Sequence, residues 1–394
     1  MSLLSQKLAK YDAPQKIQEA GVYPYFRPIS SDQDTVVQIN GKPVLMFGSN
    51  SYLGLTNHPE IKQAAIKAVE KYGTGCAGSR FLNGTLDIHL ELEARLAKLV
   101  GKEEALVYAT GFTVNSGVVS CLTGKEDYVI LDKANHASII EGSRLSFSKI
   151  IKYAHNDMDA LEKQLKKCEP DKVKLIVVDG VFSMEGDEAK LLEIADLAKK
   201  YNASIMVDEA HSLGVYGNHG AGICNHLGVT KDVDLIMGTF SKSLATIGGF
   251  IAADKHIINY LKHTSRTLIF SASITPASTA CVLAALDVME KETWRMDALW
   301  ANTNYMRAKL QKAGFDTGHS TTPIIPLYVR DNTKTFMLTR MLMEDGVFVN
   351  PVVSPAVASE DTLIRISLMA THTFDQIDEA VEKITKNATL LAIL

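Results

Sequence analysis

Two stretches decide the fold: SIMVDEAHSLG (204–214) and DLIMGTFSKSLATIGGFIA (234–252). Each begins with a short apolar run and passes directly into small and polar residues, as a buried strand does where it enters a loop. Similar runs lie upstream at ALVYAT (105–110), YVILD (128–132) and KLIVVDGVFS (174–183). Helix-length amphipathic segments separate these runs. The sequence therefore predicts an α/β protein whose large domain is a mostly parallel, doubly wound sheet.

The pattern changes on either side of this alternating region. Residues 1–49 include GVYPYFRPI (21–29), whose prolines and aromatic residues suit an arm lying on another surface. Residues 289–394 mix helical patterns with strand-like runs, which is typical of a smaller α+β domain. We therefore expect an N-terminal arm (1–49) packing with the small domain, a large domain (50–288) and a C-terminal small domain (289–394).

Composition excludes several classes of protein. The formal net charge of -4 gives no electrostatic reason to expect nucleic acid, whose binding calls for a basic domain or stripe. The five cysteines are scattered without a C-x-x-C pair, which argues against a zinc site or a disulfide framework. The first residues lack the apolar stretch of a secretory signal, and no run reaches the length of a membrane span. These features predict a cytoplasmic protein, although a lipid substrate would still allow contact with a membrane surface.

Candidate functional residues follow the predicted strands, because ligands of open parallel sheets collect at the carboxyl ends of the strands. Asp208 and His211 follow one strand, and Lys242 follows the next among the hydroxyl residues Thr239, Ser241 and Ser243. A lone aspartate at such a place is often a helix cap, and a lone lysine is often a solvated loop charge. DEAH also occurs in helicases, but the chain has no G-x-x-x-x-G-K-[ST] loop, which excludes a nucleotide hydrolase.

Two further strand ends lead into helices. Gly111 and Phe112 start one predicted helix, whose free amides and dipole would favour a phosphate. His136 starts another, where the alternatives are a backbone-bonded imidazole and a ring that stacks on an aromatic cofactor.

Eight motifs taken together resemble the α-oxoamine synthases: SNSYLGL (49–55), GTGCAGSRFLNGT (73–85), ATGFTVN (109–115), DKANHASI (132–139), DGVFSMEGD (179–187), VDEAHSLGVYG (207–217), GTFSKSLATIGGF (238–250) and LIRISLMATHT (363–373). The resemblance covers residues from about 20 to 385. It implies a fold-type I enzyme that uses pyridoxal 5′-phosphate (PLP) to condense an amino acid with an acyl-CoA and release carbon dioxide.

The resemblance also implies site roles. Lys242 would bond covalently to the cofactor, Asp208 would pair with its pyridine nitrogen, and His136 would stack on its ring. His211 and Ser183 would lie near the ring hydroxyl. The phosphate would be held by Gly111, Phe112, Thr239 and Ser241, with Ser271 and Ala272 contributed by the other subunit of a homodimer. Asn50 and Arg365 would receive the substrate carboxylate.

Three motifs resemble the branch of the family that acylates L-serine with a long-chain acyl-CoA: GTFSKS (238–243), YPYFRPI (23–29) and GSRFLNGTLDIH (78–89). The implied reaction joins L-serine and palmitoyl-CoA to give 3-ketodihydrosphingosine, the first step of sphingolipid synthesis. One departure concerns a mobile-loop arginine that grips the substrate carboxylate in that branch. Val353 stands at its place, so a heavier reliance on Arg365, or a different substrate, would follow.

Several alternatives remain at this stage. Other α-oxoamine synthases, such as glycine C-acetyltransferase or 8-amino-7-oxononanoate synthase, use glycine or alanine with shorter acyl chains. An inactive subunit that stabilises an active partner would share the motifs but lack the lysine. A PLP-dependent aminotransferase or lyase would share the fold and have no need of CoA.

Overall fold

The computed structural model describes residues 1–354 and 357–394. Its contacts divide the chain into two compact units. The small unit comprises residues 1–49, 301–368 and 372–394, and the large unit comprises residues 50–300 and 369–371. The division after Trp300 lies C-terminal to the domain boundary at residue 288 predicted from the sequence. Within the described ranges, no helix is long and apolar enough to cross a membrane.

The N-terminal segment of the small unit contains two short helices and a hairpin. Its elements are α1 (Leu3–Leu8), α2 (Ala13–Glu19), β1 (Val36–Ile39) and β2 (Lys42–Met46). Ser2 caps α1, and Pro14 lies in the first turn of α2, where a missing amide proton costs nothing. Strands β1 and β2 pair antiparallel, with Ile39 opposite Lys42.

The large unit is built on a seven-stranded sheet. Its strands are β3 (Glu104–Tyr108), β4 (Tyr128–Asp132), β5 (Lys149–Tyr153), β6 (Lys174–Asp179), β7 (Ser204–Asp208), β8 (Leu235–Thr239) and β9 (Gly249–Ala253), in the order β3-β9-β8-β7-β6-β4-β5. Strand β9 runs antiparallel to both of its neighbours, β3 and β8, and the other pairs of this sheet are parallel. Every residue of β4, β6, β8 and β9 is buried, which explains why these strands are continuous apolar runs in the sequence. The predicted mostly parallel α/β sheet is confirmed.

Helices connect and cover these strands. They are α3 (Pro59–Tyr72), α4 (Asp87–Val100), α5 (Gly111–Leu122), α6 (Ala137–Leu145), α7 (Met158–Leu165), α8 (Leu191–Tyr201), α9 (Ile223–His226), α10 (Lys255–Thr264), α11 (Arg266–Ile269) and α12 (Pro276–Lys291). Val114 and Val118 of α5 pack with Met206 and Met237 of the sheet in one apolar core. This packing fixes the start of α5 beside the carboxyl ends of β7 and β8.

The C-terminal part begins with α13 (Trp294–Lys312), which starts in the large unit and ends in the small one. The small unit then contains β10 (Ile324–Tyr328), α14 (Asn332–Glu344), β11 (Val347–Phe348), β12 (Asn350–Val352), β13 (Leu363–Ser367) and α15 (Phe374–Leu390). Strands β10, β13 and β12 form one antiparallel sheet, while β11 extends the β1–β2 hairpin in parallel to β2. Thr373 and Gln376 form a capping box that starts α15.

Candidate active site

A cavity of about 330 Å³ lies in the large unit, where the carboxyl ends of β6, β7 and β8 meet the first turns of α5 and α6. Eight residues predicted from the sequence line it: Gly111, Phe112, His136, Asp208, His211, Thr239, Ser241 and Lys242. They come from four separate segments of the chain. The parallel sheet brings them together because the carboxyl ends of parallel strands share one edge.

One end of the cavity is suited to an anion. Thr110 caps α5, because its Oγ1 accepts the Thr113 amide at 3.1 Å. Gly111 and Phe112, the first two residues of the helix, line the cavity. The hydroxyls of Thr239 and Ser241 lie 3.0 Å apart on the facing loop. A Cβ on Gly111 would stand 2.7 Å from Thr239 Oγ1, so only glycine leaves room for this approach. Amides, hydroxyls and a helix N-terminus together favour a phosphate.

The opposite side of the cavity is acidic. Asp208 ends β7 and is 3% exposed. Its Oδ1 accepts the Ala210 amide at 2.9 Å, and its Oδ2 accepts the Asn115 side-chain amide at 2.7 Å. A carboxylate held in this way by neutral donors can still accept a further charge-assisted hydrogen bond from a cationic ligand.

A second buried carboxyl group, Asp179, stands beside Asp208 in the register of β6 and β7. Its Oδ2 accepts the His136 amide at 2.8 Å, which ties the start of α6 to the sheet. Burial, and then the neighbouring Asp208, raises the pKa of Asp179 well above its ordinary value. Two adjacent buried carboxyl groups resist ionising together, so the pair favours a single negative charge.

Two imidazoles border the cavity. His136 Nδ1 lies 2.7 Å from Ser138 Oγ, and desolvation lowers the pKa of His136, with Lys242 acting in the same direction and Asp208 against it. His211 is buried, and its Nδ1 lies 2.7 Å from the hydroxyl of the fully buried Tyr52. Each ring is therefore fixed by a hydrogen bond through Nδ1.

Lys242 lies in the tight loop between β8 and β9. The loop is closed by backbone hydrogen bonds from Phe240 to Gly248, from Thr246 to Phe240, and from Ala245 to Lys242, at 2.9, 3.0 and 3.1 Å. Ala245 takes a φ of 63°, in the left-handed region, to complete the turn. A lysine on a loop closed this firmly has a fixed point of attachment at the cavity.

Three residues predicted to bind the cofactor, Ser183, Ser271 and Ala272, lie outside the cavity lining. Ser183 follows β6, in the loop closed by the Val181–Glu188 bridge. Ser271 and Ala272 follow α11, where Ser271 Oγ donates to the Ala272 carbonyl at 3.4 Å. That Ser271 and Ala272 complete the phosphate site of a second subunit stays a prediction.

The predicted carboxylate-binding residues lie in different units. Asn50 begins the large unit, and its carbonyl accepts the Tyr52 amide at 2.8 Å. Arg365 lies on β13 of the small unit, is 5% exposed, and donates to Ser367 Oγ at 2.7 Å. Val353 follows β12 and is buried. The roles of Asn50 and Arg365 stay predictions.

Four contributors to the site were missed from the sequence: Tyr52, Asn115, Ser138 and Asp179. Asp179 ends an apolar run just as Asp208 does, so the same strand-end rule would have found it. Asn115 is four residues after Gly111 and therefore on the same helix face, which was a usable signal. Ser138 lies two residues after His136, at the position whose amide a helix-capping side chain binds, so it too was within reach. Nothing local marks Tyr52 as the partner of His211.

The cavity fits PLP. It combines a phosphate-binding helix start, in a space that a Cβ on Gly111 would fill, with a carboxylate and a lysine around one volume. These groups match the phosphate, the pyridine nitrogen and the aldehyde of that cofactor. The fold and the cavity thus define a fold-type I PLP enzyme.

Comparison with known proteins agrees with this class. The model of the family described as aminotransferase class I and II matches residues 42–384. The chain is 62% identical, over all 394 residues and the whole of the relative, to a serine palmitoyltransferase of Bacteroides thetaiotaomicron. A solved serine palmitoyltransferase with a PLP internal aldimine superposes with a TM-score of 0.96 at 33% identity, covering 100% of both chains.

An 8-amino-7-oxononanoate synthase of Thermosipho melanesiensis is more distant, at 41% identity over 96% of this chain and 97% of the relative. The chain therefore belongs to the α-oxoamine synthases of the class I and II aminotransferase family. The predicted resemblance, fold type and enzyme class are confirmed.

Proposed function

We propose that this protein is a PLP-dependent acyltransferase that condenses L-serine with a long-chain acyl-CoA, palmitoyl-CoA by default. The products are 3-ketodihydrosphingosine, CoA and carbon dioxide. The full-length similarity to the Bacteroides thetaiotaomicron serine palmitoyltransferase carries the proposal. A lysine and a carboxylate around one cavity support it and argue against an inactive subunit.

When bound, PLP supplies an electron sink for the negative charge that develops at the substrate α-carbon. Lys242 is proposed to hold the cofactor covalently and, as a released neutral amine, to accept the α-proton on Nζ. Asp208 keeps the pyridine nitrogen protonated by accepting its N–H. Asn115 and the Ala210 amide hold this carboxylate at 2.7 and 2.9 Å, so it need not reorganise as charge develops.

The remaining cofactor residues position rather than react. Gly111, Phe112, Thr239 and Ser241 hold the phosphate through the amides and hydroxyls described above. His136 would cover one face of the ring, while His211 and Ser183 would lie near the ring hydroxyl. The firm hydrogen bond between His211 and Tyr52 suits such a role, because it fixes the imidazole before the cofactor arrives.

Substrate binding falls to Asn50 and Arg365, which are proposed to receive the serine carboxylate. A guanidinium can donate two parallel hydrogen bonds to a carboxylate, and Arg365 already donates to Ser367 Oγ at 2.7 Å, which orients its side chain. With Val353 in place of a loop arginine, Arg365 is the main clamp. Lys242 or His136 then returns a proton to the product carbon.

The decisive experiment incubates the purified holoenzyme with serine, glycine or alanine and a series of acyl-CoAs, and measures released CoA and the ketone product. A site that hydrogen-bonds the serine hydroxyl rejects alanine strongly, whereas each methylene changes binding by only about 1 kcal/mol. We expect sharp selection for serine and a graded preference among chain lengths. A higher kcat/KM with glycine or alanine than with serine, or with acetyl-CoA than with palmitoyl-CoA, would identify another α-oxoamine synthase. Turnover without any acyl-CoA would identify an aminotransferase or lyase.

We also propose a homodimer whose sites are shared. Phe270 and Leu82 are 78% and 77% exposed, and Ser273 links their segments by donating to the Gly84 carbonyl at 2.7 Å. An apolar surface of this kind is suited to a second copy of the chain. Mixing Lys242→Ala protein with an inactive Ser271 variant should restore activity, since one site of the mixed dimer is intact. If the mixed sample were as inactive as each variant alone, the proposal that both subunits build each site would be contradicted.

A cytoplasmic location with peripheral membrane contact completes the proposal. Leu3, Leu4 and Leu8 of α1 are 83%, 66% and 60% exposed, with Lys7 and Lys10 nearby. Apolar side chains flanked by lysines suit an anionic lipid surface. Vesicle flotation of the full chain should weaken in a Leu4→Glu, Leu8→Glu variant, and equal flotation of both proteins would remove the support.

A further inference from the structure

A continuous line of polar contacts joins the two groups proposed to contact the cofactor ring. Asn115 Nδ2 donates to Asp208 Oδ2 at 2.7 Å and to Ser138 Oγ at 2.9 Å. Ser138 Oγ in turn lies 2.7 Å from His136 Nδ1. Asn115 and Ser138 are 1% and 2% exposed, so solvent does not compete for these contacts. The line connects a strand-end carboxylate to an imidazole on another segment.

The direction of each hydrogen bond follows from what each group can do. Asn115 must turn its amide nitrogen toward Asp208, because two oxygens at 2.7 Å would repel. Its second N–H then makes Ser138 Oγ an acceptor. The serine proton is left to point to His136 Nδ1, which also accepts the Ser138 backbone amide at 3.3 Å. A nitrogen that accepts two hydrogen bonds carries no proton, so the proton of the neutral ring is on Nε2.

We propose that Asn115 is a positioning residue that, through Ser138, sets His136 as the neutral Nε2–H tautomer while holding Asp208. This inference rests on the proposed function in taking the cavity as a PLP site. It goes further by assigning different proton roles to His136 and Lys242. His136 serves as a hydrogen-bond donor over the ring, and its basic nitrogen is already engaged, which leaves Lys242 as the residue that moves the proton.

The test reads the tautomer directly, by ¹⁵N NMR of holoenzyme labelled at histidine, with His136→Asn used to assign the signals. Wild-type His136 should show a protonated Nε2 and an unprotonated Nδ1 around neutral pH. In Asn115→Asp the new carboxyl group shares a proton with Asp208, and its other oxygen accepts the serine proton, so Nδ1 should become protonated. Ser116→Ala is the matched control, because Ser116 is the next buried residue of the same helix and its hydroxyl makes no hydrogen bond to the described protein atoms.

Ser138→Ala is a second test of the tautomer, because it removes the hydroxyl and keeps the backbone amide at position 138. The Nδ1–H form should then become detectable. A protonated Nδ1 in the wild type, or unchanged tautomers in both Asn115→Asp and Ser138→Ala, would overturn the proposal. If Asn115→Asp fails to fold, Ser138→Ala alone decides.

Kinetics give an independent readout. Asn115→Ala and Ser138→Ala should each lower kcat/KM by about tenfold to a hundredfold, the value of a hydrogen bond to a charged or coupled group. Because both act through one line, the double variant should lose little more than the worse single variant. Fully multiplicative losses would contradict the coupling. Failure of the wild type to use serine would instead reject the proposed substrate and leave the tautomer result standing.

Discussion

Replacing Gly111 with alanine tests the phosphate end of the cavity. The new Cβ would stand 2.7 Å from Thr239 Oγ1, 2.9 Å from Thr239 Cβ and 3.2 Å from Met237 Cε. Thr239 cannot retreat easily, because it pairs with Gly249 in the sheet, and Gly249 itself packs against Gly111. The hydroxyl of Thr239 must therefore leave its place beside Ser241.

The expected cost can be divided between stability and cofactor binding. Alanine in a helix is favoured over glycine by about 1 kcal/mol, which offsets part of an overpacking cost of about 1–3 kcal/mol. Losing the Thr239 hydrogen bond to an anionic phosphate costs a further 1.5–3 kcal/mol or so. The second loss affects only the bound state, so we expect the Kd for PLP to rise by about ten- to a hundredfold, with little change in Tm.

The assay titrates PLP into the apoprotein by visible absorption and follows thermal unfolding in parallel. Gly117→Ala is the matched control on the same helix, since its Cβ would meet Thr267 Oγ1 at 2.0 Å, away from the cavity. It should lower Tm and leave the Kd unchanged. Gly124→Ala, whose nearest neighbour would be 3.8 Å away, should change neither. A wild-type Kd for Gly111→Ala, or an equal rise for Gly117→Ala, would refute the reasoning.

Three further predictions follow from the same geometry. Lys242→Ala should abolish turnover and the borohydride-reducible link to PLP; a link that survives would mean that another lysine holds the cofactor. Asp208→Asn should keep the fold and lower kcat by about a hundredfold or more, because a neutral amide does not sustain the pyridinium charge, and near-normal steady-state rates would assign that task elsewhere. Although burial lowers the pKa of His155, hydrogen bonds to Asp132 and Asp187 at 2.9 and 3.0 Å raise it to about 10. The stabilisation from His155 is therefore complete below the ordinary pKa near 6.5 and is lost as pH rises through about 10. In urea unfolding, His155→Gln should lower the free energy of unfolding by about 2 kcal/mol at pH 7 and change it little above pH 10. A difference between the two proteins that stays constant with pH would contradict this.

The sequence predicted the parts of the site that depend on topology. A parallel sheet places every strand's carboxyl end at one edge, so Asp208, Thr239 and Lys242 could be grouped without knowing any distance. The contact between Asn115 and Asp208 needed more, because it depends on how far α5 is rotated about its axis. Val114 and Val118 indicate which face of α5 packs against the sheet, but how closely the helix and the sheet approach depends on the whole core.

The division between the two units was harder to predict for a related reason. Helix α13 runs from Trp294 to Lys312 without interruption, so composition does not mark the position after Trp300 at which its contacts change. Arg365 could be assigned only by resemblance, since it lies on β13, in a different unit from the cavity. Local sequence is informative where neighbours are set by regular structure, and uninformative where they are set by how separate segments pack.

The pairing of Asp179 with Asp208 explains how a buried site keeps one carboxylate available for the cofactor. Two carboxylates in adjacent register, both about 3% exposed, would repel strongly if both were charged. The structure resolves this by giving them different donors. Asp208 accepts two N–H groups, from Ala210 and Asn115, whereas burial and Asp208 raise the pKa of Asp179. The raised pKa favours the neutral form of Asp179, and the two N–H donors leave Asp208 placed to receive a pyridinium. In a PLP titration, Asp179→Asn should accordingly leave binding nearly intact, because an amide has the shape of the neutral carboxyl group that the raised pKa of Asp179 favours; a large rise in Kd would contradict this.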